Sequence, residues 1–497
     1  MAIALERAGG APAAAAPAPY VERGDVGYKH TLSNLQIQMI AIGGAVGVGL
    51  FLGLGARLNT AGPGLLLSYL VVSVVVYLMM RALGEMVLYR PTTGAFVSYA
   101  REFVGNRFAH LTGWIYVTLG SLAGVAEIAA IAVYVNYWLP DMPGWAPSLV
   151  ALLVIVGSNL LTARAFGIIE FGASSVKVAA ILLFLAAGAV IVVLAGTSAI
   201  ENDASVANLW SGGGLFPSGT WQAVIAMQGV VFSYSAIEIV GISAGESKNP
   251  EKSMPKAIRS VIVRIGIFYL GSIVVLCMLL PTQSYSGDQS PFVTALASLD
   301  VPGLGGVMNF VVLTAALSGV NATLYAVVRL LRNLAANGSA PRATVKITRR
   351  GVPIGGLLSV GAFYLVGVLL IHLAGASEAF EIALSACAVF VLFGWIAIFV
   401  SHLGFRRQVK AGRIALPSFR MPGAPYTDWI CLAALVAMFL WLVFDQRNPH
   451  WWHSLIAAVA LLVVHNLSYE VAKRRVAGHG LPDVEPGHGA DAKGDSR

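Results

Sequence analysis

Three ionisable side chains stand inside stretches that are otherwise apolar: Glu127 in GVAEIAAIAVYVNYW, Lys177 in FGASSVKVAAILLF and Glu238 in GVVFSYSAIEIVGISAGES. At membrane depth such a group is costly, and by default it marks a substrate or proton path. A buried lysine can exchange its proton. A carboxylate can accept the N–H groups of a side-chain amide, favouring asparagine over aspartate, or it can relay protons. Structural accounts stand beside these: Lys177 reaching the cytoplasmic interface along its own stem, and Glu127 hydrogen-bonding to a neighbouring helix.

A second kind of chemistry lies in the backbone. MIAIGGAVGVGLFLGLG carries Gly43, Gly44, Gly47, Gly49, Gly53 and Gly55 within one apolar run. Such density allows close helix–helix contact. It also allows a broken helix whose freed amides face a buried anion, an arrangement tolerated only where it lines a cavity or is buried in protein. Phe232, Ser233, Tyr234, Ser235 and Glu238 interrupt a later apolar run in the same way. The serines could equally bond back to their own helix. Ser318 and Asn321 lie three residues apart on one helical face, placed either to line a cavity or to lock helices together.

The elements that must hold these groups follow from composition. Of 497 residues, 57% are hydrophobic and 11% charged, with a mean hydropathy of +0.76. A soluble chain of this size could not cover its surface with so few charges. The fold class is an all-α polytopic membrane protein. With about 20 apolar residues per span, twelve segments emerge, at 37–56, 64–83, 111–138, 147–161, 171–195, 221–243, 258–280, 304–328, 353–373, 379–400, 429–444 and 451–469; segments 4 and 11 are the shortest. The broken-helix signals fall in segments 1 and 6, corresponding positions of two five-helix halves related by an inverted repeat.

The net charge of +8 invites a nucleic-acid partner, but the positions of the charges give a better account. Apart from Arg57, Arg447 and Lys177, all of the 32 basic residues fall on alternate loops, the two tails or adjoining helix edges. That alternation puts both termini in the cytoplasm of a multi-pass protein in the cell membrane. Glu85 and Glu170, near Arg81 and Arg164, read as interfacial salt links outside any binding site. Cys277, Cys387 and Cys431 sit in apolar runs as small hydrophobes. The histidines, including His372, His402 and His465, are scattered without a metal-ligand spacing. No metal, no cofactor and no nucleic acid are expected. The expected partners are the lipid bilayer and a small-molecule substrate, and the protein should be a monomer or weak oligomer. An embedded enzyme would need a clustered nucleophile or acid/base pair, and a channel a filter loop or charge ring; neither pattern is evident.

Longer motifs make the reading specific. GGAVGVGLFLG, RALGEM with RPTTGAFVSYAREFVG, VVFSYSAIEIVGISAGESKNPEKSMPKAI, the NxxLYxxxR run from Asn321 to Arg329, and GSAPR with RRGVP together resemble the amino acid transporter family of the amino acid–polyamine–organocation superfamily, from about residue 28 to 475. Within it, QSPFVT, VMNFVVLTAALSGVNATLY and SFRMPGAPYTDW look most like the L-asparagine permeases. The resemblance implies a LeuT-like fold of twelve helices with a 5+5 inverted repeat and discontinuous segments 1 and 6. It divides the chain into a flexible tail (1–34), a ten-helix core (35–402, halves 37–195 and 221–400), two peripheral helices (403–470) and a tail (471–497). It implies proton-driven symport of an amino acid by alternating access, with L-asparagine as substrate and another neutral amino acid or GABA as the alternative.

By position, the resemblance assigns the substrate carboxylate to the amides of Gly47, Val48 and Gly49. The ammonium goes to carbonyls near Ile42 and from Phe232 through Ser233 to Ser235, with Phe232 as the gate. Lys177 matches the lysine standing where sodium-coupled relatives hold a sodium ion, and it shares the proton-coupling role with Glu127 and Glu238. Val48 departs from the family's GTG pattern, removing a threonine hydroxyl.

Overall fold

The computed structural model describes residues 46–92, 95–160, 163–197, 203–235, 237–238, 250–299, 301–348, 351–444 and 451–482. Apolar runs of this length become helices because lipid offers no partner for backbone N–H and C=O groups, so each segment must satisfy its own. Among the described residues nine helices are long and apolar enough to cross a membrane, and the helix of segment 4, Trp145–Ser158, is a shorter apolar one. Segments 1 and 6 are the others of the twelve without a full-length helix among the described residues. They are also the two whose glycine and polar residues argue for interruption.

Segment 3 (Asn106–Asn136) runs through the middle, between segment 8 (Leu304–Ala336) and segment 10 (Ala376–Lys410). Small residues allow the approach, because helices in lipid associate through close packing rather than through escape from water. A Cβ added at Gly113 or Gly120 would stand 2.3 Å or 2.2 Å from Leu334 or Val327 of segment 8, and one at Gly124 2.0 Å from Tyr364 of segment 9 (Ile354–Ala374). Segment 5 (Ala163–Gly196) lies at the edge: Leu182, Leu183, Val190 and Val193 project outward, while Glu170, Ser174 and Lys177 are buried on the opposite side.

Segment 7 is a single rod made of three stretches, the α-helix Pro250–Arg264, a π-helical turn Ile265–Gly271 and the α-helix Ser272–Leu279. The connection that follows forms a short helix, Pro291–Ala297. Its Phe292 is buried, edge-on to Phe51 of segment 1 at 5.3 Å and to Phe184 of segment 5 at 4.8 Å.

Segments 11 (Tyr426–Phe444) and 12 (Trp451–His479) pack against segment 10 and against each other. Segment 12 is tied to segment 3 by His465–Thr118 (3.1 Å) and His110–Ser468 (2.9 Å). Segment 11 is tied by charge. His402 of segment 10 is fully buried, with Nδ1 2.7 Å from Asp428 and Nε2 3.3 Å from Glu85. Glu85 also receives Arg406 at 2.9 Å and the Met421 N–H at 2.8 Å. The expectation of an interfacial Glu85–Arg81 link is therefore corrected. Arg81 donates instead to the Arg420 carbonyl and lies over the Phe419 ring. Glu85 belongs to a buried cluster because its partners arrive from segments 10 and 11, which no local spacing announces.

Candidate functional site

Segment 1 begins its described helix at Gly47. The turn Val48–Phe51 is followed by an irregular residue, Leu52, and the helix resumes over Gly53–Ala61. Leu50 and Phe51 donate to the Gly47 carbonyl, and the residues that stand one turn before the preceding amides lie outside the described ones. The Val48 N–H donates to the carboxyl of Glu127.

Segment 6 stops at the same depth. Its helix Thr220–Ser233 ends in a turn at Tyr234 and Ser235, with the Ser235 N–H bonded to the Phe232 carbonyl at 2.9 Å. The two breaks cross in direct contact. A Cβ at Gly49 would stand 2.9 Å from the Ser233 Cα and Oγ and 3.2 Å from the Phe232 ring. Only glycine allows this approach, which is why the glycine run sits here. Phe232 is buried with its ring 6.5 Å from Phe380 of segment 10. Ser233 is held rather than free: its hydroxyl donates to the Gly229 carbonyl and accepts from Tyr69, and its carbonyl accepts from Tyr269 at 2.8 Å.

The intramembrane charges divide into two places. Lys177, fully buried, lies under the joint electrostatic influence of Glu170 and Glu127. Glu127 is pressed between segments 1 and 8, 3.0 Å from where a Gly47 Cβ would stand and 2.6 Å from a Gly319 Cβ. Glu170 accepts from Ser318 at 2.6 Å and from Ser174 at 3.4 Å. Glu238 is elsewhere, facing Tyr116 of segment 3 and Trp395 of segment 10. Asn321 accepts from Ser158 and Asn159 at the end of segment 4, at 2.9 Å and 2.8 Å, and so locks helices. Further out along segment 1, Arg57 makes a bidentate pair with Glu381 of segment 10, both bonds 2.6 Å.

Crossed breaks beside a buried lysine and two acids form a polar centre in an apolar body. The amino acid permease family model matches residues 36–476. This chain belongs to the amino acid permease family. The permease is 45% identical over 442 residues to L-asparagine permease 2 of Mycobacterium tuberculosis, covering 88% of this chain and 90% of the relative. It is 43% identical over 459 residues to the L-asparagine permease of Streptomyces coelicolor, covering 92% and 93%, and 42% identical over 453 residues to that of Escherichia coli, covering 91% and 90%. It is a multi-pass membrane transporter of amino acids, not an enzyme.

Against the permease pattern, Gly47, Val48, Gly49, Phe232, Ser233 and Ser235 come together at the crossing, with Glu127 at the Val48 amide. Ile42 lies outside the described residues. Lys177 and Glu127 share one cluster, and Glu238 stands apart from it. The expectation that Glu170 is interfacial is corrected, while the Arg164 side chain of the expected link lies outside the described residues. Glu170 is fully buried and bonded to segment 8. Its sevenfold spacing from Lys177, two turns on one helix face, was the available signal. Arg57–Glu381 and the tyrosines around Ser233 carried no such signal, since their partners come from distant segments.

Proposed function

We propose that this permease is a proton-coupled symporter that takes up L-asparagine by alternating access. The observation that carries the substrate reading is the set of relatives named as L-asparagine permeases, 42–45% identical over about nine-tenths of the chain. The basic loops mark the cytoplasmic side of the cell membrane, with both termini there. The core, 35–402, moves as two inverted halves, 37–195 and 221–400, around the crossing of segments 1 and 6.

The substrate carboxylate takes the amides of Gly47, Val48 and Gly49, and its ammonium takes carbonyls at the end of the segment 6 helix. The Val48 N–H already serves Glu127, so substrate and Glu127 compete for one donor. An uncharged Glu127 carboxyl yields that amide more easily, so proton and substrate favour each other's binding, as coupling requires. The side-chain amide of asparagine is recognised through its N–H groups by a carboxyl oxygen, and an aspartate side chain lacks those donors. Phe232 closes over the substrate, and Arg57–Glu381 joins segments 1 and 10 on the far side from the basic loops.

A competition panel tests the substrate. Unlabelled asparagine is expected to displace labelled asparagine uptake most strongly, and a protonophore to abolish accumulation. Inhibition by proline or arginine but not by asparagine defeats the substrate reading.

A further inference from the structure

Segment 5 carries a second acid facing the membrane interior. Glu170 is fully buried two turns before Lys177, about 10 Å along the axis. Helical side chains lean back toward the N-terminus, which carries the Lys177 ammonium toward Glu170. From the other side, adjoining residues of segment 8 touch one acid each: Ser318 bonds Glu170 at 2.6 Å, and a Cβ on Gly319 would stand 2.6 Å from Glu127 Oε1. Two acids thus reach neighbouring points of one helix, with a single lysine under the influence of both. The other groups facing them are Ser174, the Val48 N–H, and Tyr134 and Tyr364 beside Glu127.

The count is uneven. Among the described residues, with the lysine and both acids ionised, the cluster holds an uncompensated negative charge, which a membrane interior disfavours. One additional proton removes it. Oε2 of Glu127 and Oε2 of Glu170 accept no hydrogen bond, so each acid keeps an open position for that proton.

We propose that Glu170 is the carboxylate that takes the coupling proton from Lys177 and releases it to the cytoplasm. The proposal rests on the proton-coupled reading above. The Glu127 carboxylic acid gives its proton to the neutral Lys177 amine, leaving a carboxylate and an ammonium. The ammonium passes a proton to the Glu170 carboxylate, regenerating the amine and forming a carboxylic acid. That acid releases the proton to water on the cytoplasmic side. The Ser318 hydroxyl donates to the Glu170 carboxylate and can accept from the acid, keeping contact in both states.

The test uses the full chain in proteoliposomes, reading labelled asparagine in two assays: accumulation driven by an imposed proton gradient, and counterflow without one. Glu170→Gln is expected to lower accumulation by about tenfold or more, within the usual range of a coupling free energy, with counterflow lowered by a clearly smaller factor and Glu170→Asp restoring part of the accumulation. Wild-type accumulation in Glu170→Gln overturns the proposal, and so does an equal loss of both activities. If Glu170→Gln does not reach the membrane, Ser318→Ala decides. It is expected to move the pH of half-maximal accumulation, and an unmoved profile overturns the proposal. Wild-type protein that exchanges asparagine but does not accumulate it on a proton gradient defeats proton coupling itself, and this inference with it. Failure of asparagine alone to exchange sinks only the substrate reading, and accumulation is then read with the neutral amino acid that does exchange.

Discussion

Two clusters of buried charge in this molecule are finished differently. On the side of the basic loops, Glu85 and Asp428 face His402 and Arg406, two acids against two bases, with the Met421 N–H closing the ring. In the middle, Glu127 and Glu170 face Lys177, the one cation beside them among the described residues. The balanced cluster joins segments 2, 10 and 11 with its charges matched. The unbalanced one is complete only when it takes up a proton or a cationic group. Balance separates a clamp from a working site more sharply than burial does, since both clusters are buried.

The comparison can be broken most directly at Lys177. Lys177→Met should remove gradient-driven accumulation and flatten the pH dependence of uptake; a wild-type pH profile in that variant would make the central cluster another clamp. Gly49→Val separates shape from charge in the same region. A branched side chain at 2.9 Å from the Ser233 backbone cannot be accommodated without moving segment 6, so uptake should be lost while the protein still reaches the membrane; retained uptake would mean that the crossing is loose. At the clamp the expectation reverses. His402→Ala leaves two buried carboxylates facing each other, at a cost of about 3–5 kcal/mol for breaking a buried ion pair. A fall in unfolding temperature is expected, with an unchanged pH profile of uptake per folded molecule; a shifted profile would erase the distinction. The smallest effect belongs to Val48→Thr, which restores the hydroxyl of the family pattern. One added hydrogen bond amounts to about 1 kcal/mol, so the apparent affinity should change by no more than about tenfold. A larger change would mean that the side chain at this position, and not the backbone amide, dominates carboxylate binding.

Much of this arrangement is legible in the sequence. The interruptions in segments 1 and 6 announce themselves because glycines and serines are out of place in apolar runs. Glu127, Lys177 and Glu238 stand out because a charge there is expensive. Glu170 was lost because it lies near a basic residue at a helix end, and only the approach of Ser318, 148 positions along the chain, shows which way it faces. His402 was passed over for the same reason. Its acids stand 26 and 317 positions away, and a search for local histidine spacing cannot find a cluster assembled by three helices.

The π-helical turn at Ile265–Gly271 has a consequence for the crossing. Its hydrogen bonds close one residue later than those of an α-helix, so every side chain beyond it is turned by about 100° relative to an unbroken helix. Tyr269 lies within this turn and reaches the carbonyl of Ser233, where the segment 6 helix ends. Removing one residue there would re-index the rod and swing the phenol away from that carbonyl, leaving the end of segment 6 without the donor that now caps it. Segment 7 is therefore intolerant of length changes at this turn.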